Sequence, residues 1–278
     1  MTNAYSDLTT LKSASYLNIA TVTDYDTPLL NLLIQASRLL DKWCGRFFFV
    51  RDETRYYDGM GLKLFLLDDL LSITTLKTDE DGDGTYENSL VVTDYHLYPL
   101  NDFPKIRIEI NPNGDYGSFA SGVQKGVQII GSYGYGDGIS KTPYSNSGDS
   151  VQDATGMTET QTTVTVTSGT NFAVGQTIKI ELEQCFISSI ATNTLTIKRG
   201  VNGTTGETHA KDTIIYIYEY PMPISQGCLI TSMRAFKRKD SAYADVIGSP
   251  ETGQIIMSKG VDPDVAELIK QYRKLRYL

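Results

Sequence analysis

The stretch "KTDEDGDGTYENS", Lys77 to Ser89, concentrates more ligand-type side chains than any other part of this 278-residue chain. Asp79, Asp81 and Asp83 alternate ahead of Gly84, with Thr85 and Glu87 just beyond. Carboxylates so spaced suit a hard cation such as calcium. Asp79, Asp81 and Asp83 would take the first, third and fifth places of a calcium loop, Gly84 the sharp turn, and Thr85 would offer its backbone carbonyl. The twelfth place, where a bidentate Glu belongs, holds Leu90, and the flanks read as strands; Glu87 compensates in part. Two readings stay open: a bound calcium ion, or a wet Asp/Gly turn whose charges solvent screens. Under either, the loop braces local structure, because no nucleophile or base stands beside it.

Other chemistries find less support. A hydrolytic triad needs Ser or Cys near His near an acid. The two histidines, His96 in "TDYHLYP" and His209 in "TGETHAKD", have no nucleophile elbow beside them. His96 is expected to pack or hydrogen-bond in a sheet, and His209 to brace a loop. "GSYGYGDG" has glycines without the dinucleotide-binding spacing or a following helix. The adjacent Asp68 and Asp69 diverge on a strand and read as a solvated turn, not an acid/base pair. No catalytic residue is nominated, and neither enzymatic activity nor a required cofactor is expected. Cys44, Cys185 and Cys228 are odd in number and far apart, which fits a reducing cytoplasm rather than a disulfide framework.

Composition sets wider bounds. Hydrophobic residues make up 40% and charged residues 21%, ordinary usage for a chain with a real core. The most apolar run, "LKLFLLDDLLSI", is cut by Asp68 and Asp69, so no membrane span is expected. The opening "MTNAYSDLTT" has neither the basic nor the apolar region of a signal peptide. The formal charge of −8 is uneven. Residues 1–137 hold 11 basic against 19 acidic side chains, residues 138–220 hold 5 against 8, and residues 221–278 hold 9 against 6. An acidic body with a basic end argues against general nucleic-acid binding and suits self-association through opposite surfaces.

The elements that must position these residues follow from periodicity. "TTLKSASYL" predicts a short helix. "TPLLNLLIQASRLLDKWCG" predicts a long one, capped by Thr27, begun at Pro28 and stopped by Gly45. Leu29, Leu33, Ala36, Leu40 and Trp43 form its apolar stripe, with Cys44 at its end. Strands follow in "FFFVRDETRYYDG", "LKLFLLD", "SITTLKTD", "ENSLVVTDYHLYPL", "KIRIEI" and "GVQIIGSYGYGDG". From Ile139 to about Gln161 the polar, weakly patterned chain predicts a loop or linker. "TTVTVTS", "GQTIKIELEQCFISSI", "NTLTIKRG" and "TIIYIYEY" predict a small all-β module. Helical period returns at "PMPISQGCLITSMRAFKRKD", with Phe236 on its apolar side. The period ends with "DPDVAELIKQYRKL", where Asp262 caps, Pro263 begins, and Leu268 and Ile269 face inward. The expected fold class is α+β, in three parts: residues 1–137, helices then a β-rich region; residues 138–220, an inserted β domain; residues 221–278, two further helices.

These segments, in this order, resemble the head–tail connectors of tailed phages, the adaptor or head-completion proteins that bind below the portal. The likeness rests on "DKWCGRFF", "TRYYDGMG", "LFLLDDLLSITTLKTDEDGDGTY", "DYHLYPLN", "RAFKRKDSAYADVIGSPETGQI" and "DPDVAELIKQYRKL", and covers roughly residues 7–137 and 221–278. It implies a non-enzymatic virion protein assembled in the host cytoplasm and placed in the neck. Such a protein forms a homo-oligomeric ring, commonly of twelve subunits, that binds the portal protein and receives a tail-completion or stopper protein. Genomic DNA passes through the lumen without sequence-specific binding. Carried onto this sequence, the resemblance nominates Arg234, Lys237, Arg238 and Lys239, with Tyr272, Arg273, Lys274 and Arg276, for subunit or portal contacts. It also places Trp43, Cys44 and Arg46 at the helical core and its edge. The β block at 138–220 replaces a brief loop of shorter members. Three rivals remain: a tail-completion or terminator ring, a calcium-dependent surface- or glycan-binding module, and, least supported because no acid/base pair is found, a cell-wall hydrolase.

Overall fold

Helix α2 (Asp26–Cys44) forms where the apolar stripe predicted it, preceded by the short α1 (Leu8–Lys12). Leu29, Leu33, Ala36 and Leu40 are all at most 2% exposed, so the stripe is the face that the fold buries. Gly45 closes the last turn at a φ of 69°, a left-handed angle that glycine adopts without a Cβ clash. The start differs from expectation. Tyr25 holds the cap position without a side-chain hydrogen bond, and Thr27 lies inside the helix. Pro28 still falls in the first turn, where its missing N–H breaks no intrahelical bond. Asp7 is the acid that caps a helix here, accepting from the Thr10 amide at 2.8 Å ahead of α1. This computed structural model describes residues 3–136, 144–241, 246–247, 255–256 and 260–274. Among them, no helix is long and apolar enough to cross a membrane.

Helices α3 (Met222–Arg238) and α4 (Pro263–Ile269) complete a bundle with α2. Phe236 meets Tyr25 with ring centroids 5.3 Å apart, Cys228 meets Ser37 at 3.4 Å, and Gly227 faces Leu40. That sequence of contacts makes α3 antiparallel to α2. Arg234 pairs with Asp262, while Gly227 also faces Val265 and Ile269, so α4 runs back along α3. Asp262 caps α4 as predicted, accepting from the Asp264 amide at 2.8 Å. The predicted final helix stops at Ile269 and tightens into a single 3-10 turn over Lys270–Tyr272.

The chain divides into two compact units. One comprises Met1–Arg46, Tyr144–Val201 and Thr205–Leu278; the other comprises Phe47–Pro143 with Asn202–Thr204. The helices and the second β region therefore share a unit, whereas composition drew its boundaries at 137/138 and 220/221. Within that unit the N-terminal segment is stitched to both: the Leu8 amide donates to Val174 O at 2.9 Å, Thr177 Oγ1 to Asn3 Oδ1 at 2.9 Å, and Ser225 Oγ to Tyr5 O at 2.7 Å.

The Phe47–Pro143 unit is an antiparallel sheet of β1 (Arg51–Met60), β2 (Leu64–Thr78), β3 (Asn88–Leu90), β4 (Tyr95–Tyr98), β5 (Lys105–Ile110) and β6 (Ser121–Tyr133). Its order is β1-β6-β2-β5-β4, with β3 paired to β2. Leu76, Ile108, Val127 and Ile129 are fully buried on one face, and Ile110 joins them; alternation along "KIRIEI" predicts this for Ile108 and Ile110 but fails at the start of the strand, where Ile106 is exposed and Lys105 buried. The two strands predicted for "LKLFLLD" and "SITTLKTD" are one, β2, which runs through Asp68 and Asp69. The expected solvated turn at that pair is thus corrected. Asp69 is buried and its carbonyl accepts from the Gly134 amide at 2.8 Å, while Asp68 pairs with Arg55 at 2.6 Å. Irregular register on both sides of Leu70 lets one strand absorb the two acids.

The sheet of the other unit contains β7 (Tyr144–Ser150), β8 (Thr163–Thr165), β9 (Thr177–Ile180), β10 (Glu183–Ala191), β11 (Thr194–Lys198) and β12 (Ile214–Tyr218), in the order β7-β12-β9-β10-β11-β8. Val164, Ile178, Ile180, Ile187, Leu195 and Ile215 form its core. Strand β7 lies inside the stretch expected to be linker. Its apolar period is absent because β12 supplies the ladder and Asp149 supplies the anchor, accepting from the amides of Thr167 and Ser168 at 2.8 Å each.

Candidate functional site

The acidic loop joins β2 to β3. Asp79 is 3% exposed, and its carboxylate accepts from the Gly82 amide at 2.6 Å and the Gly84 amide at 2.9 Å. Gly82 and Gly84 stand at φ 83° and 89°, which turns both amides toward that carboxylate at no steric cost. Asp83 accepts from the Thr85 amide at 2.6 Å, Asp81 from the Asp83 amide at 3.2 Å, and Glu87 from the Glu80 amide at 3.2 Å. The Thr85 backbone and side chain hold the Asp83 carboxyl below the usual range. Two further bonds tie the loop to β6: Asp79 N to Gly126 O at 3.0 Å and Tyr86 OH to Lys125 O at 2.9 Å.

One carboxylate oxygen from each of Asp79, Asp81, Asp83 and Glu87 lies within 4.8 Å of the others. That all-oxygen set could coordinate a divalent cation, since each amide-bound oxygen keeps a second lone pair. Thr85, nominated for its carbonyl, here serves the loop through its amide. Leu90 cannot supply the missing twelfth ligand, for it is 6% exposed in the core of the sheet.

A second polar centre escaped the sequence reading. Glu183, at the start of β10, is 1% exposed. Its Oε1 accepts from Arg199 Nε at 2.7 Å and the Gly200 amide at 3.0 Å; its Oε2 accepts from the Glu207 amide at 3.1 Å. Arg199 Nη2 completes a two-pronged pair with the same carboxylate. His209 Nε2 lies 2.9 Å from Glu183 Oε2, and its Nδ1 lies 2.7 Å from Glu181 Oε2. Burial alone would raise the Glu183 pKa, but Arg199, His209 and the two amides outweigh it and bring it to about 2. His209 thus braces a loop, as expected of it, whereas His96 sits on β4 with its side chain exposed. Cys185 Sγ donates to Glu183 Oε1 at 3.3 Å, and burial followed by the Glu183 charge pushes the thiol up. A fully buried, protonated thiol is not a nucleophile. Alternation did not mark it: Glu183 shares the parity of Cys185 and Ile187, but β10 is buried on both parities from Glu183 to Ile187, and the one available signal was an acid inside that apolar run, which calls for a buried cation.

The nominated core and interface residues separate. Leu33, Leu40, Cys44 and Ile269 are at most 2% exposed. Trp43, Phe236 and Leu268 are only half-buried. Arg234 turns inward to pair with Asp262, so it joins two helices of its own chain. Lys237 is exposed, Arg238 half-buried, and Lys239 lies over the rings of Phe236 and Tyr25 at 3.8 and 4.0 Å. Tyr272, Arg273 and Lys274 stand elsewhere: the Lys274 amide donates to Cys44 O at 2.7 Å, beyond the last turn of α2. Because α3 is antiparallel to α2, the nominated cations fall at opposite ends of a helix about 28 Å long. Arg276 lies outside the described residues.

No protein-family model and no curated protein matches the chain. Among solved structures, a chain from "Neck of empty GTA particle computed with C6 symmetry" is similar, with a TM-score of 0.40 and 13% sequence identity over 93% of this chain and 83% of that chain. At this identity and score, the function must be read from this chain's own residues.

Proposed function

We propose that this chain is a structural subunit of the neck of a tailed virus particle, an adaptor or head-completion protein that catalyses nothing. The observation that carries the reading is the closure of the helical bundle. Helix α2 packs on α3, and α3 on α4, although residues 45–221 separate α2 from α3. That arrangement is what the resemblance to connectors requires, since it needs both ends of the chain to build one helical core around an outgoing β-rich segment. The burial of Leu33, Leu40, Cys44 and Ile269 supports it. The Glu183–His209–Cys185 centre, with its groups buried and engaged, suits a bracing role in its sheet.

In this reading the subunits form a homo-oligomeric ring, a dodecamer, below the portal protein. A tail-completion or stopper protein docks on its far side, and genomic DNA passes without sequence-specific contact. A net charge of −8 suits such a passage, because like charge repels phosphate. Calcium at the Asp79–Glu87 loop would act as a brace for the turn.

Imaging of purified particles with the chain labelled at an exposed position tests the reading. A ring of this chain between portal and tail is the expected result, and particles made without it should hold portal and lack tails. Absence of the chain from purified virions, or its presence in the capsid shell or tail tip, would overturn it.

A further inference from the structure

The unit with the helices holds a cavity of about 400 Å³ where the N-terminal segment passes the junction of β12 and α3, a volume within the range of ligand sites. Tyr5, Tyr218 and Leu229, all at most 4% exposed, form its walls. Toward solvent it is lined by half-buried Asp7, exposed Glu219 and Met222. At 82%, Met222 is the most exposed large apolar side chain among the described residues. The walls are fixed from outside the cavity, by the Leu8 amide on Val174 O at 2.9 Å and Ser225 Oγ on Tyr5 O at 2.7 Å, so a ligand would find the site already formed. Charge in the lining has one sign. No lysine, arginine or histidine lines the cavity, and among the described residues no cation pairs with Asp7 or Glu219. Helices α1 and α3 both begin here, which by itself would favour an anion. Their amides, however, are largely engaged. Pro221 and Pro223 have no N–H, the Ile224 and Ser225 amides both donate to Pro221 O at 2.9 and 3.0 Å, and the Thr10 amide donates to Asp7 at 2.8 Å. An anion would meet two carboxylates and few free donors.

We infer that this cavity seats an aliphatic cation, a guanidinium or ammonium group on a short hydrocarbon stem. The stem covers the apolar walls and Met222, whose unbranched thioether adapts to the shape it meets. The charged head stays at Glu219 and Asp7, within reach of water, which is how long basic side chains divide themselves between apolar surface and solvent. A purely apolar ligand fits less well, because it would cover two carboxylates without replacing their contacts with water. A lysine or arginine side chain of a neighbouring chain and a free amine share the chemistry that the cavity selects. The site stands or falls independently of the neck reading.

The test uses the full chain with carbon-13 in its methionine methyl groups, the Met222 signal being assigned by its loss in Met222→Leu. The probe n-butylguanidinium, added at constant ionic strength, should move that signal and saturate with a dissociation constant of about 1–10 mM. Its neutral isostere n-butylurea should bind about three- to fivefold more weakly, the difference that one exposed ion pair supplies. Glu219→Gln, folded by circular dichroism, should bring the two probes level; Glu219→Ala is read in its place should the first variant fail to fold. Equal binding of both probes by the wild type, no saturable movement of Met222, or a preference that survives loss of the Glu219 charge would overturn the site. So would tighter binding of n-butyl phosphate, which would assign the cavity to anions. Two further probes identify the source. N-acetyl-arginine methylamide binding as well as n-butylguanidinium upholds the site as a seat for a neighbouring chain's side chain. Its exclusion, with butane-1,4-diamine still bound, upholds the site as one for a free amine. None of these outcomes bears on the place of the chain in the particle, which imaging reads separately.

Discussion

In the Asp79–Glu87 loop, four carboxylates converge and are answered by backbone amides; at Glu183, one carboxylate is answered by a guanidinium, an imidazole and two amides. Three of the first group are exposed, whereas Glu183 and His209 are sealed. Water can screen the loop's mutual repulsion, so the loop tolerates an unbalanced charge. Nothing screens Glu183, so the fold surrounds it with partners, and its pKa falls to about 2 despite burial. The pair of sites shows that charge density by itself says little about what a group contributes to stability. The unbalanced, wet site is the one able to accept a ligand, and the balanced, dry site is the one that holds its sheet together.

The largest effect should come from the dry site. Glu183→Gln leaves Arg199 buried without its anion, and breaking a buried pair in this way costs about 3–5 kcal/mol, to be read from urea unfolding. A loss no greater than a surface substitution would erase the distinction. The acid limb sharpens the same point. The folded pKa of Glu183, about 2, lies below its ordinary 4.5. Its stabilisation is therefore fully present above about pH 4.5 and is lost as pH falls through about 2; roughly 3 kcal/mol should disappear over that window. The stability gap between wild type and Glu183→Gln should close across it.

At the wet site the effect should depend on the ligand. Calcium at about ten times its dissociation constant should add about 1.4 kcal/mol, seen as a rise in melting temperature. Asp81→Asn should weaken that response without altering the fold, and calorimetry without calcium heat at millimolar metal would remove the ion from the account. Between the two extremes stands Arg234–Asp262, whose arginine is 32% exposed. Arg234→Ala should cost no more than about 1 kcal/mol in thermal unfolding. The smallest effect is expected from Asp83→Asn without added metal, which should leave the melting temperature unchanged, because that carboxylate is fully exposed.

Much of this protein was legible along the chain. Sequence alone determined α2 and its stop, because a stripe at Leu29, Leu33, Ala36 and Leu40 and a glycine at position 45 are local facts. It determined the strands of "KIRIEI" and "TIIYIYEY" through period-two alternation, the Asp262 cap of α4, and the clustering of Asp79, Asp81 and Asp83, which are neighbours in sequence before they are neighbours in space. Tertiary structure decided the rest. Strand β7 carries no apolar period and exists because β12 lends it a ladder. Asp68 and Asp69 look like a turn until both flanks are drawn into one strand. Glu183, Arg199 and His209 meet only when β10 and the segment after β11 fold together. The antiparallel course of α3 on α2 sends Lys239 to one end of the bundle and Lys274 to the other, and turns Arg234 toward Asp262. Periodicity reports which face of an element is buried; only packing fixes what lies against that face, and the partner sets the charge, the exposure and the role of each residue.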